Sequence, residues 1–308
     1  MNIESDLEKI TLQECFREYI KKDFLADSLL SIKKSSEDTC LFREINQKSD
    51  FEESFKGVVN TCLNGKPLYI AWKQNINGKT RNISVPKPPL KNFIQKYLVP
   101  LVKSARVHVS CHGGEEGWSV KKSLKQHLPL ASVLSFDLSN AFENFPALSV
   151  YYFFDNILKD YSDKEKISHF LTLLCTVKYS HGRGLPIGSG LSMALFNRAL
   201  YDLDEKLYNV SIYKGFRYSR WVDDLTISSS FKKSVGSFFG AVELTNRKYS
   251  VSDKKTYFQE NDKDIFLLGH KITPDGKLFK NSKEERIRDK QFPLNYEKII
   301  KQVYESWN

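Results

Sequence analysis

Arg220-Trp221-Val222-Asp223-Asp224-Leu225-Thr226-Ile227 is the stretch on which the reading of this chain turns. Phe216-Arg217-Tyr218-Ser219-Arg220 precedes the acidic pair, and Leu225-Thr226-Ile227-Ser228 follows it. Both flanks are rich in β-branched and aromatic residues, so the pattern predicts a strand, a tight turn carrying Asp-Asp, and a second strand. Acidic residues are poor strand formers. At a hairpin tip they are held and aimed at one place, which suits a hard cation such as Mg²⁺ bound through oxygen. Asp is also a common turn residue, so the dipeptide alone reads first as a solvated turn.

Working outward, Ala131-Ser132-Val133-Leu134-Ser135-Phe136-Asp137 is an apolar run of strand length that ends on a carboxylate. A carboxylate at the end of a buried strand is costly unless it is paired or holds a cation. Two-metal phosphoryl transfer needs carboxylates from separate elements, around ions ~3.5–4 Å apart. Asp137 and Asp223 could supply them if their strands are neighbours; alternatively, Asp137 caps the following segment. Between them lie helical spacing over 147–178, a loop Ser180–Gly190 with four glycines, and an apolar helix pattern at 191, 195, 199 and 203. The glycines allow close backbone approach to a ligand.

Upstream, Leu68–Trp72 and Arg81–Val85 predict a hairpin with Lys79 and Arg81 near its bend, and a helix to about Lys103 follows. Residues 1 to about 60 have amphipathic helical spacing. Gly113-Gly114-Glu115-Glu116-Gly117 opens a short basic helix with Ser119 near its start. His112 and His127 have no third ligand at local spacing and read as structural or backbone-contacting.

The composition sets bounds. The 308 residues are 41% hydrophobic and 27% charged, which is globular, with room for two or three subdomains. A formal net charge of +10 suits a polyanionic partner, nucleic acid first. Five scattered cysteines, without a CxxC pair, indicate neither a zinc site nor a disulfide framework, and fit a reducing, cytoplasmic setting. No signal peptide or membrane-length apolar run is visible. The expected fold class is α+β (mixed α/β), an antiparallel sheet packed on helices.

At this point the chain resembles the reverse transcriptases, and among them the bacterial retron and phage-defence-associated group. Phe136-Asp137-Leu138-Ser139-Asn140-Ala141-Phe142 resembles their first catalytic motif, and Arg220–Thr226 the second. Leu185-Pro186-Ile187-Gly188 with the helix through Asn197 is similar to the intervening template- and nucleotide-contacting motif. His112-Gly113, with Gly117–Lys121 and His127, resembles a fingers segment of retron-like enzymes. Ser252–Thr256 resembles the fourth palm motif, and Phe266–Thr273 the primer-gripping hairpin. Departures are Ile187, where Gln is frequent, Ser192-Met193 for Ser-Pro, Ser123-Leu124 for Asn-Ala, and Trp221, where Tyr is usual.

The resemblance implies a right-hand polymerase with fingers and palm and a short or truncated thumb. It divides the chain into 1–130 (N-terminal helices and fingers), 131–275 (palm, with fingers contributions from 147–180) and 276–308 (primer-grip end and thumb). It implies two Mg²⁺ ions, with Mn²⁺ able to substitute, on Asp137, Asp223, Asp224 and the carbonyl of Leu138. Adjacent residues of an extended backbone point to opposite sides, so Asp223 is the expected direct ligand. Lys255, before Lys254, is the expected general acid. Lys79, Arg81, Phe142, Pro186 and Gly188 would contact the nucleotide, with the Phe142 ring excluding a 2′-hydroxyl. Leu268 and Gly269 would grip the primer. The implied partners are a noncoding RNA template, a DNA product and dNTPs, with an effector, a second subunit or a homo-oligomer compatible and no membrane. The implied activity is RNA-directed DNA synthesis, in antiphage defence. Alternatives are untemplated or protein-primed synthesis, an RNA-dependent RNA polymerase, and an inactive RNA-binding scaffold.

Overall fold

A computed structural model describes residues 48–280, apart from 77, 161–162 and 235. The helical expectation for residues 1–47 and the thumb expected from 281 onward lie outside the described residues. The described chain forms two compact units, one holding the residues up to Val107 with Phe142–Leu200, the other His108–Ala141 with the chain from Tyr201.

The first unit begins with helix α1 (Lys48–Leu63), then a hairpin of β1 (Tyr69–Ile76) and β2 (Lys79–Pro86). Helix α2 (Pro88–Phe93) follows, a wider π turn spans Ile94–Leu98, and α3 (Val99–Ser104) completes the stretch. One helix was expected here; Pro100 near the start of α3 has no N–H to continue the regular ladder. Phe51, Phe93 and Tyr97 are buried against one another, with ring centroids 4.8–5.5 Å apart. Each such ring withdrawn from water contributes roughly 1.5–3 kcal/mol.

The chain then enters the second unit. Ser119 caps helix α4 (Val120–Lys125) by accepting a hydrogen bond from the Lys122 N–H, as its place in the sequence predicts. Strand β3 (Ser132–Asp137) follows. Back in the first unit, α5 (Ala147–Ile157) and α6 (Lys164–Cys175) lead to a short hairpin, β4 (Val177–Tyr179) with β5 (Gly182–Gly184), and to α7 (Ser192–Ala199). The second unit resumes with α8 (Tyr201–Tyr213). The single helix expected over 191–204 is therefore two. The chain crosses between units at the Leu200–Tyr201 break, which leaves the apolar spacing intact and so escapes a periodicity reading.

From there β6 (Arg217–Trp221) and β7 (Asp224–Ser229) form the expected acidic hairpin. Helix α9 (Gly236–Asn246), β8 (Tyr257–Glu260) and the strands β9 (Ile265–Leu267), β10 (His270–Ile272) and β11 (Leu278–Lys280) close the described chain. Strands β6-β7-β3-β8 form one antiparallel sheet in that order. Every residue of β3 but Ser135 is buried, as is β7 after Asp224, because these are the two central strands. Leu124, Leu130 and Val133 pack with Ile265, Leu267 and Ile272, so the β9–β10 hairpin shares the core of that sheet. Gln259 of β8 ties the two sheets further, donating to the Phe266 carbonyl and accepting from the Phe266 N–H.

Candidate metal centre

The register of the sheet brings the carboxylates together. Asp137 at the end of β3 lies opposite Asp224 at the start of β7, in a directly paired position of an antiparallel ladder. Side chains so placed share one face of the sheet. Asp223 sits in the turn, and its carbonyl accepts a hydrogen bond from the Leu138 N–H at 3.0 Å. One oxygen from each of Asp137, Asp223 and Asp224 lies within 4.8 Å of the others. The alternation argument had set Asp223 against Asp224, but Val222 has φ 57°, so the backbone is not extended through the turn. That break lets both neighbours face Asp137.

The cluster is electrostatically uncomfortable when empty of cations. The Asp224 carboxyl is pushed up to about 7, first by burial and then by the charges of Asp223 and Asp137, with Lys255 opposing. Lys255 is the local counter-charge, its Nζ 2.5 Å from Asp137 Oδ2. Burial of the ammonium works against its charge, but the contact with Asp137 and the nearby Asp223 and Asp224 hold its pKa above the usual lysine value. Lys254 has no such contact; its carbonyl accepts from the Tyr257 hydroxyl. Three oxygen donors of one sign, half-shielded from water, are the chemistry a divalent hard cation satisfies. The residues present therefore fit Mg²⁺.

The strand ends are fixed from several sides. The Asp137 carbonyl accepts from the Ser252 N–H at 2.8 Å, and the Ser139 N–H reaches the Ser250 carbonyl at 2.8 Å. This pins the first carboxylate to the segment that carries Lys255. A cleft of about 560 Å³ runs from Asp224 and Lys255 past Trp221 and Tyr257 to Leu268 and Gly269. Leu268 (φ 48°) and Gly269 (φ 70°) form the β9–β10 turn, where consecutive positive φ angles match the twist of a tight hairpin. Asp224, the lysine and the expected primer-gripping turn thus line one cleft of the second unit.

The expected nucleotide contacts belong to the first unit, where the structure gathers them. Lys79 and Arg81 are exposed at the head of β2. Next to them Asn82 donates to Glu143 (Nδ2 to Oε2, 3.1 Å), which joins β2 to the segment carrying Phe142. Phe142 stacks on Phe196 with centroids 5.0 Å apart and remains half-buried. The Ile187 carbonyl accepts from the Ser84 N–H at 2.7 Å, and the Pro186 carbonyl accepts from Ser192 Oγ. Two glycines of the 180–190 loop serve contacts within the protein. A Cβ on Gly184 would stand 2.1 Å from the Glu143 carbonyl oxygen, and one on Gly188 (φ 114°) 2.9 Å from Val85 Cγ2. Arg183, unmarked in the sequence reading, closes the end of α6 by donating to the Leu173 and Thr176 carbonyls.

His112 and His127 read as structural, and both are buried. Both reach serine hydroxyls, and His112 also meets the backbone at Val109. His127 bonds Ser228 Oγ of β7 and Ser219 Oγ of β6, each at 2.7 Å, and His112 bonds Ser123 Oγ at 2.8 Å. Burial pushes His112 down to about 4 and His127 down to about 3, so both are neutral at pH 7. Sequence reasoning missed the buried set behind the acidic turn, made by Asp204, Tyr218 and Arg220. Its signal was an arginine inside a strand flanked by β-formers, since a buried guanidinium demands an acid.

A four-stranded antiparallel sheet with carboxylates at adjoining strand ends, faced by a lysine, defines a polymerase-type palm. The family model described as "Reverse transcriptase (RNA-dependent DNA polymerase)" matches residues 71–272, and the chain belongs to that family. Within that family it is similar to retron reverse transcriptases. It is 29% identical over 175 residues to the retron Mx162 reverse transcriptase of Myxococcus xanthus, covering 52% of this chain and 35% of that one. It is 23% identical over 248 residues to the retron Se72 reverse transcriptase of Salmonella heidelberg, covering 75% and 62% respectively. The chain thus spans between about a third and under two thirds of the length of these relatives. The fold is also similar to apo telomerase from Candida tropicalis, with TM-score 0.50 and 15% identity over 76% of this chain and 52% of that one. Among the described residues, no helix is long and apolar enough to cross a membrane.

Proposed function

We propose that this chain is an RNA-directed DNA polymerase that extends a primer on a noncoding RNA template with dNTPs. The observation that carries the reading is the convergence of Asp137, Asp223 and Asp224 within 4.8 Å at the ends of paired strands. Asp137, Asp223 and Asp224, with the Leu138 carbonyl, would hold two Mg²⁺ ions. Such ions supply a lowered pKa for the primer hydroxyl and charge neutralisation on the triphosphate.

The protein's own groups do the rest. Lys255 stays protonated next to Asp137 and donates a proton from Nζ to the departing pyrophosphate. Lys79 and Arg81 neutralise the triphosphate from exposed positions. Phe142, backed by Phe196, presents a rigid ring where a 2′-hydroxyl would sit and so favours deoxynucleotides. Pro186 and Gly188 shape the neighbouring loop. Leu268 and Gly269 hold the primer end in the cleft that reaches Asp224. A reducing, cytoplasmic setting, which the scattered cysteines suit, and a role in antiphage defence complete the proposal.

The test is primer extension on an RNA template with Mg²⁺, supplying dNTPs or rNTPs. DNA synthesis that disappears in Asp223→Asn is the expected result. Preferential rNTP incorporation would replace this reading with an RNA-dependent RNA polymerase. Phage resistance that persists in cells carrying Asp223→Asn would favour a scaffold. Sequencing the nucleic acid that copurifies identifies the template.

A further inference from the structure

The acidic turn is held from behind by a buried arginine. Val222 is a β-branched residue at φ 57°, a region L-residues with branched side chains rarely adopt. Such a conformation persists only where its surroundings enforce it. Arg220 Nη1 donates to the Val222 carbonyl at 2.8 Å. The same guanidinium grips Asp204 of α8, with Nη2 to Oδ2 at 2.7 Å and Nε to Oδ1 at 2.8 Å, and both side chains are fully buried. The Tyr218 hydroxyl donates to Asp204 Oδ1 at 2.6 Å, filling the carboxylate's remaining capacity.

The Arg220 backbone is fixed as well. Its N–H donates to the Ser110 carbonyl at 2.7 Å, and its carbonyl accepts from the His112 N–H at 2.8 Å. Gly113 closes the arrangement, since a Cβ there would stand 2.4 Å from the Val222 nitrogen.

We propose that Arg220, anchored by Asp204, is the positioning residue of the carboxylate site. It fixes the Val222 peptide in its left-handed turn, so that Asp223 and Asp224 converge on Asp137. The inference rests on the metal-site reading above. A bidentate guanidinium is the group for this task, because its planar fork reaches an acid and a carbonyl at once. A lysine, a compact point charge without the planar fork, does not reproduce the bidentate grip on Asp204 together with the Val222 contact. Removing one member of a buried pair destabilises a fold, whereas replacing both by apolar groups of similar volume is often tolerated. That difference separates positioning from stability.

The experiment measures Mn²⁺ binding to the full chain without nucleotide, by electron paramagnetic resonance of the free ion. The variants are Arg220→Lys, the pair Arg220→Met with Asp204→Leu, and Asp137→Asn, and melting is followed in parallel. The expected result is a Kd for Mn²⁺ raised roughly ten- to a hundredfold in Arg220→Lys and in the apolar pair, the range for groups that orient metal ligands. The apolar pair should fold but melt somewhat below the native protein, because the Tyr218 hydroxyl and the Val222 carbonyl lose their partners. Native Mn²⁺ affinity in Arg220→Lys overturns the positioning role even if the apolar pair fails to fold. Native affinity in Asp137→Asn overturns the metal site itself, and the inference with it. Polymerisation adds a second reading, in which Arg220→Lys should need more Mg²⁺ for half-maximal rate.

Discussion

Two hairpins carry charged residues of the proposed site, and they are built in opposite ways. The β6–β7 hairpin holds Asp223 and Asp224 on strands buried on both faces, with Tyr218, Ser219 and Arg220 all inaccessible. The β1–β2 hairpin holds Lys79 and Arg81 on strands whose outer half is bare, and Ile70 and Trp72 are exposed as well. One is locked by His127, Arg220 and Gly113 behind it; the other is tied at Asn82 and Ser84, and its tip stands on its own ladder. The contrast follows from the task each charge would perform. Like charges must be forced together against their repulsion, and only a preorganised surround does that. Cations that meet a mobile polyphosphate gain from long, solvated side chains.

The largest effect should come from breaking the locked hairpin at its purpose. Asp137→Asn or Asp223→Asn removes a proposed metal ligand, for which several kcal/mol of transition-state stabilisation is typical. At about 4 kcal/mol this is roughly a 10³-fold loss of primer-extension rate. Melting should stay unchanged or rise in Asp223→Asn, because a repelling charge leaves the cluster, whereas in Asp137→Asn the lost contact with Lys255 opposes that gain. A variant that keeps more than a tenth of the rate would contradict the site.

Gly113→Ala strikes the same turn from behind. The new methyl group would meet the Val222 nitrogen and the Trp221 carbonyl carbon at 2.4 and 2.8 Å. Overpacking of this kind costs about 1–3 kcal/mol. Denaturant unfolding and primer extension should both fall, and a variant impaired in neither would mean that the turn is free to move.

His127→Leu probes the polar layer under the strands. Two serine hydroxyls, on Ser219 and Ser228, lose their partner. A buried unpaired group costs about 1–3 kcal/mol. The native imidazole also predicts a pH dependence. Burial holds His127 down to about 3 and His112 down to about 4, below an unfolded value near 6.5. Between those values the unfolded chain binds more protons, so stability is full above about pH 6.5 and is lost as pH falls toward 4 and 3. Urea unfolding at several pH values should show a shallower loss in His127→Leu than in the native protein. An equal slope would assign the acid sensitivity to other groups.

What could be read in the sequence follows the same division. The acidic hairpin, Asp137 at its strand end and the capped helix at Ser119 were legible, because alternation, turn chemistry and capping are local signals. Asp224 facing the same way as Asp223 was not, since the period-2 rule assumes extended backbone and Val222 violates it. Arg220 was in view as a strand residue, but its partner Asp204 lies sixteen positions earlier, on a helix. Gly184 and Gly188 looked like ligand-facing glycines, yet a residue without a Cβ equally permits one backbone to approach another. Long-range pairing of this kind leaves no period in a single sequence.

The smallest change in stability should come from the open hairpin. Lys79 and Arg81 are exposed near its bend, and the cross-strand register puts them opposite Ile76 and Gln74. Nothing in that environment depends on their charge, so Lys79→Ala and Arg81→Ala should each shift unfolding by less than about 0.5 kcal/mol. Their effect should instead fall on the nucleotide. Losing one charge-assisted contact to a triphosphate is worth about 1.4 kcal/mol or more, a KM for dNTP raised roughly tenfold with kcat little changed. Because the site is solvated, added salt should shrink the gap between variant and native, since the native protein loses most of what screening removes. A KM that stays at the native value in low salt would take the β1–β2 tip out of nucleotide binding and leave the proposed chemistry to the locked hairpin.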